Sequence, residues 1–123
     1  GEINEGSVWE AAMAAAKHQL SNFTVMIDYN KIQSYGFVSE VLDIEPLADK
    51  WTSFGFAVKE VNGHDVSAIK KLLNSLPLNK QKPTALICHT IKGKGFSFAE
   101  NDPTWHHKSN LSDADIKKMY ESI

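Results

Sequence analysis

Three short apolar runs constrain this chain more than any other feature: Phe23 to Asp28 (FTVMID), Phe56 to Val61 (FAVKEV) and Pro83 to His89 (PTALICH). Runs this short, rich in β-branched and aromatic residues and bounded by turn signals, read as buried strands. Helix-forming segments separate them. From Val8 to Leu20 strong helix formers dominate, and the alanines there give a narrow face that lets a helix lie close to a sheet. Ser7 and Glu10 have the spacing of a capping box at its start. Glu45 to Phe54 reads as a helix with Pro46 in its first turn and Gly55 as its stop. Asp65 can cap a helix from Val66 to Leu76 that turns Ile69, Leu72 and Leu73 inward, and a last helix spans Leu111 to Ile123 with Ser112 as cap. Helices alternating with buried strands predict an α/β fold, a parallel sheet with helices on both faces. The 123 residues fit one domain, long enough to bury a core without covalent staples.

Composition excludes more than it assigns. A formal charge of −2 leaves no basic footprint for nucleic acid or an anionic membrane. No apolar run approaches the roughly 20 residues of a membrane-spanning helix. Cys88 is the single cysteine, so there is no disulfide framework, and the usage suits a reducing, cytoplasmic compartment. Within its apolar run Cys88 reads as a buried, inert thiol. The chain opens on Gly1-Glu2-Ile3-Asn4-Glu5-Gly6 with neither methionine nor signal peptide, as expected of a processed product or part of something longer.

Two long stretches lack a regular pattern, Tyr29 to Leu42 and Thr90 to Asn110. Both begin where a strand ends, and the carboxyl ends of parallel strands are where ligands sit. In the first, Asn30 offers a side-chain carbonyl and Ile32 a backbone carbonyl two residues on. Such hard oxygens suit Mg²⁺ shared with a phosphate group, although an asparagine after a strand also serves simply as a turn residue. At the terminus, Gly1 before a helix-opening segment lets backbone amides approach a phosphate. In the second stretch, Lys92-Gly93-Lys94-Gly95 makes a flexible cationic loop. It leads to Trp105-His106-His107-Lys108, where either histidine can carry a proton near neutral pH or simply face solvent.

Taken together, GEINEG with WEA, then Asp28-Tyr29-Asn30-Lys31-Ile32-Gln33, Gly63-His64-Asp65, TIKGKG with its following SF, and WHHK resemble the transketolase pattern. They stand in that family's order and near its spacing over nearly the whole chain. The similarity is greatest to the separate N-terminal subunit of split bacterial or archaeal transketolases. It implies a partial thiamine-diphosphate-binding fold, with residues 1–123 as a diphosphate-binding domain incomplete at its N-terminus.

The resemblance also implies roles. The family carries a Gly-Asp-Gly triplet whose Asp binds the metal; Gly1 matches the last glycine, and the Asp lies outside this sequence, which implies weakened metal and cofactor binding. Gly1, Asn30, Ile32 and His106 are the implied cofactor-binding residues. Asn30 and Ile32 are the implied ligands of Mg²⁺ (or Ca²⁺ or Mn²⁺), and His106 the implied catalytic group, lying over the thiazolium and diphosphate. Glu5 matches a glutamate at the subunit interface. Family members often carry glycine at the position of His107, which sets that histidine aside, and His64 falls in a turn read as structural. The implied activity is transfer of a two-carbon ketol unit from a ketose phosphate to an aldose phosphate, as in the pentose phosphate pathway. It implies a homo- or hetero-oligomer in which a pyrimidine-binding domain or subunit completes the site, so that this chain alone is silent. Two alternatives stay open: a deoxyxylulose-phosphate synthase-like enzyme, and a non-catalytic folded fragment that self-associates.

Overall fold

In the computed structural model, which describes residues 1–122, the chain begins with a 3-10 turn at Glu2–Asn4 and helix α1 (Gly6–Lys17). Strand β1 (Thr24–Tyr29) follows, then a small hairpin of β2 (Ile32–Gln33) and β3 (Gly36–Phe37), and helices α2 (Val38–Val41) and α3 (Leu47–Ser53). The second half holds β4 (Ala57–Asn62), α4 (Val66–Leu73), β5 (Thr84–His89), a 3-10 turn at Pro103–Trp105 and α5 (Asp113–Glu121).

The three apolar runs form one parallel sheet in the order β1-β5-β4. Tyr29, His89 and Asn62 stand level at its carboxyl edge. The chain crosses from β1 to β4 by way of α3 and returns to β5 by way of α4. Right-handed crossovers made in opposite directions set those two helices on opposite faces. Burial along central β5 agrees. Ala85 and Ile87 join one core with Ile27, Tyr29, Leu47 and Trp51, while Leu86 and Cys88, which point the other way, are buried too. The expected parallel α/β architecture is thus the observed one, but only central β5 is buried along its length as expected: Met26 of β1 is 49% exposed on the Leu86 face and β4 has no buried residue, because both lie at the edges of this sheet.

Aromatic packing anchors the first face. Trp51 and Phe56 meet edge-on at 4.8 Å between ring centroids, and Trp9 leans on Trp51 at 5.2 Å and Phe54 at 5.0 Å. Ala12 and Ala15 are the buried residues of α1, as the narrow alanine face predicts. Gly55 ends α3 with φ +92°, and a Cβ there would stand 3.0 Å from the Ala16 Cβ, so α1 and the turn after α3 approach at glycine distance.

Local expectations divide. Asp65 caps α4 by accepting from the Ala68 amide, and a true capping box forms at Ser112 with Asp115. The box expected at Ser7 and Glu10 does not form: α1 starts two residues earlier, with Glu5 at its cap position, so Ser7 already lies inside the first turn. Pro46 is the cap residue of α3 rather than part of its first turn. Helix α4 stops at Leu73, and Leu73, expected to turn inward, is 40% exposed. Part of the stretch 29–42 is ordered as the hairpin and α2. The last helix covers Asp113–Glu121, and Ile123 lies outside the described residues.

Candidate functional site

Asn30 sits immediately past β1, where the chain reverses. Lys31 takes φ +64°, a left-handed conformation that tightens the turn. In that turn the Ile32 amide donates to Asn30 Oδ1 at 2.9 Å, and Asn30 Nδ2 donates to Asp28 Oδ2 at 3.3 Å. The asparagine oxygen is therefore held in a fixed direction with one lone pair engaged, and Ile32 is buried beside it. Asp28 also accepts from the Thr90 hydroxyl, which ties the end of β1 to the start of the loop after β5.

The amino end of the chain closes on this turn. A Cβ on Gly1 would stand 3.3 Å from Gln33 Cγ, and Gln33 Oε1 accepts from Asn4 Nδ2 at 2.9 Å. Gly1, Glu2, Asp28 and Asn30 help line a cavity of about 410 Å³ along the outer side of β1. A larger cavity of about 560 Å³ lies off the carboxyl ends of all three strands, with Lys31, His64, His89 and Lys94 in its wall. Asn30 lines both.

His106 follows the Pro103–Trp105 turn, its ring 4.1 Å from that of His107. Its Nδ1 is buried without a hydrogen-bond partner. Burial first, then the charges of Lys92, His107 and the amino group of Gly1, hold its imidazole below the usual histidine range. His107 occupies φ +60°, backbone that glycine enters most freely. Lys108 lies 3.7 Å over the Trp105 ring and 3.4 Å from Asp115, fastening the segment to α5.

Gly1, Asn30 and Ile32 thus gather at the carboxyl end of β1, His106 lies on the loop after β5, and Glu5 stands apart. It caps α1 with its backbone, its side chain exposed and without a capping hydrogen bond. Cys88 is a buried free thiol, pushed up by burial and by Asp28. Among the described residues no three His, Cys, Asp or Glu side chains cluster to hold a metal. The oxygens of Asn30 and Ile32 therefore suit a hard cation only where further ligands come from beyond these side chains. The buried, unpartnered Nδ1 of His106 and the cation of Lys92 fit an anionic phosphate ester set among them. Sequence reasoning missed the pairs that lock this end of the sheet. Tyr29 donates to Glu45, whose Oε2 also accepts from the Leu47 amide at 2.7 Å, and His89 meets Glu60 at 2.6 Å. Nothing in the local pattern of either partner signals them.

A parallel α/β sheet with helices on both faces, and with asparagine, lysine and histidine gathered past its carboxyl edge, defines the class of phosphate-binding α/β domains. Residues 1–123 match the family model of the transketolase thiamine diphosphate binding domain, and the chain belongs to that family. It is 44% identical over 108 residues to one of the subunits of apulose-4-phosphate transketolase from Actinobacillus succinogenes, covering 88% of this chain and 39% of that one. It is 30% identical over 126 residues to human transketolase, of which it covers 20%. Among solved structures, transketolase from Campylobacter jejuni superposes with a TM-score of 0.84 at 32% identity, over 98% of this chain and 19% of that one. The chain therefore spans well under half the length of these relatives.

Proposed function

We propose that this chain forms the diphosphate- and Mg²⁺-binding part of a transketolase that moves a two-carbon ketol unit from a ketose phosphate to an aldose phosphate. A pyrimidine-binding domain or subunit completes the enzyme, and this chain is inactive without it. The observation that carries the reading is the turn at the carboxyl end of β1, where the Asn30 oxygen is fixed by the Ile32 amide and Gly1 packs against Gln33, within a chain that matches the thiamine diphosphate binding domain. Relatives named as single subunits of apulose-4-phosphate transketolase favour a split enzyme with a separate partner.

In this reading Asn30 Oδ1 and the Ile32 carbonyl hold the metal, and the backbone at Gly1 and the side chain of Lys92 meet the diphosphate. His106, kept neutral by its surroundings, accepts or donates a proton beside the reacting carbon. Glu5, on the exposed start of α1, lies at the subunit interface. Bound thiamine diphosphate supplies the means of breaking and remaking a carbon–carbon bond next to a carbonyl.

Calorimetric titration with thiamine diphosphate and Mg²⁺ tests the proposal, first on this chain and then with a candidate partner subunit. Heat that develops only with the partner supports a half-site awaiting its complement. Absence of binding in both, using a partner shown to associate, rejects the cofactor assignment.

A further inference from the structure

Past the last paired residues of β4 and β5, two more hydrogen bonds continue their association. The Gly63 amide donates to the His89 carbonyl at 2.7 Å, and His64 Nε2 accepts from the Ile91 amide at 2.7 Å. The turn supplying both is well braced. Asn62 Oδ1 accepts from the His64 amide at 2.9 Å, the Asn62 carbonyl from the Asp65 amide at 3.1 Å, and Asp65 Oδ1 from the Ala68 amide at 2.8 Å. Glycine is required at its centre, since a Cβ on Gly63 would stand 2.4 Å from Thr90 Cγ2 and 3.1 Å from the His89 carbonyl oxygen. The turn is thus pressed against the first residues of loop 90–110.

That loop carries Lys92 and leads to His106. Its first part is closed on itself: the Lys92 carbonyl accepts from the Asn101 amide at 2.9 Å, and Glu100 Oε1 accepts from the Gly95 amide at 3.2 Å and sits 3.4 Å from Lys94 Nζ. Gly93, at φ +78°, leaves no room for a Cβ against the Ala99 carbonyl, 2.4 Å away. So compact a unit is aimed by its attachments. On the β1 side Thr90 bonds the Tyr29 carbonyl through its amide, at 3.3 Å, and Asp28 through its hydroxyl. On the β4 side the attachment is His64.

We infer that His64 is a positioning residue: by accepting from the Ile91 amide it aims the loop that delivers Lys92 and His106 to the diphosphate site. This rests on the thiamine-diphosphate reading above. An imidazole accepts through Nε2 only when neutral, with its proton on Nδ1; protonation sets two N–H groups against each other and frees the loop. The charged groups around it are Lys94 and Glu100 of the loop, His89 at the end of β5, Lys31 after β1, and Asp65 on its own turn.

The test uses the full-length protein assembled with its partner, as parent, His64→Gln and His64→Leu. Glutamine keeps an acceptor where Nε2 stands and does not titrate; leucine has no acceptor. Hydrogen exchange over residues 90–101, expressed at each pH relative to the intrinsic rate of the free amide, and affinity for thiamine diphosphate with Mg²⁺ are followed from about pH 8 to about pH 5.5, across the range where imidazoles titrate. His64→Leu exchanges about fivefold faster there and binds cofactor about fivefold more weakly, the scale of one exposed hydrogen bond given up to water. His64→Gln matches the parent near pH 8 and lacks the parent's acid-side rise in exchange. Unchanged exchange in His64→Leu, or an acid-side rise persisting in His64→Gln, overturns the inference. A parent that binds no cofactor while its exchange follows this pattern refutes the cofactor reading and leaves the pin established.

Discussion

At the residue scale, the two neighbouring histidines differ in kind. His106 has a buried, unpartnered Nδ1 and an imidazole held below its ordinary range, whereas His107 occupies a left-handed turn position. In the assembled enzyme His106→Ala should lower turnover about a hundredfold or more, the scale of losing a positioned proton carrier. His107→Gly should keep turnover, with stability within about 1 kcal/mol of the parent, because glycine relieves the backbone while loosening the unfolded chain. Equal losses of turnover would reject the distinction. Asn30→Ala removes both the candidate metal oxygen and the acceptor for the Ile32 amide. It should weaken Mg²⁺-dependent binding of thiamine diphosphate about a hundredfold. Titration showing parental affinity would remove Asn30 from the metal site.

At the scale of elements, the three strands and the long amphipathic helices were legible because each carries its own signal. FTVMID and TALICH both form strands, though only the second is buried along its length, and Asp65 and Ser112 announce helix starts that the structure shows. What was not legible depends on partners distant in sequence. Thr90 finds Asp28 across 62 residues and His89 finds Glu60 across 29, pairings created only by strand order β1-β5-β4. The start of α1 was misread for a related reason. The 3-10 turn at Glu2–Asn4 precedes the helix, and Glu5 takes the cap position that local sequence offered to Ser7. At the site, the DYNKIQ motif located the Asn30 turn, but the left-handed backbone of Lys31 left no mark in the residue type. Helix α3 joins the sheet chiefly through Trp51, 2% exposed and in contact with the rings of both Trp9 and Phe56. Trp51→Ala should cost about 3–5 kcal/mol in chemical denaturation, the range for emptying an aromatic site. Trp51→Phe should cost less, since Trp51 Nε1 is buried without a partner and its loss removes an unmet donor. A larger loss for phenylalanine than for alanine would contradict this packing account.

For the whole molecule, the perturbed acids and bases act in a consistent direction on each side of neutrality. Glu45 is held below the usual carboxylate range by the Tyr29 hydroxyl and then the Leu47 amide, Glu100 by the Gly95 amide, Asp102 by Thr104 and Asp115 by Ser112. His106 is lowered as well, by burial before charge. For every one of these the unfolded chain binds protons more readily, so their contribution is present at neutral pH and lost as pH falls. His106 acts first, below the ordinary imidazole range, and the carboxylates follow lower down. On the alkaline side, burial raises both the Cys88 thiol and the Tyr29 hydroxyl, so the unfolded chain gives up those protons sooner and stability falls as pH rises. The expected profile is a plateau near neutrality with losses on both sides. Urea midpoints measured across pH check it. Glu45→Gln keeps one oxygen where the carboxylate offered one to Tyr29 and another to Leu47, and it has no proton to gain. It should lower the plateau, flatten part of the acid limb and, since the Glu45 hydrogen bond and charge help raise the Tyr29 hydroxyl, soften the alkaline limb as well. An acid limb as steep in Glu45→Gln as in the parent would show that the tie between the end of β1 and the start of α3 contributes no pH dependence to the fold.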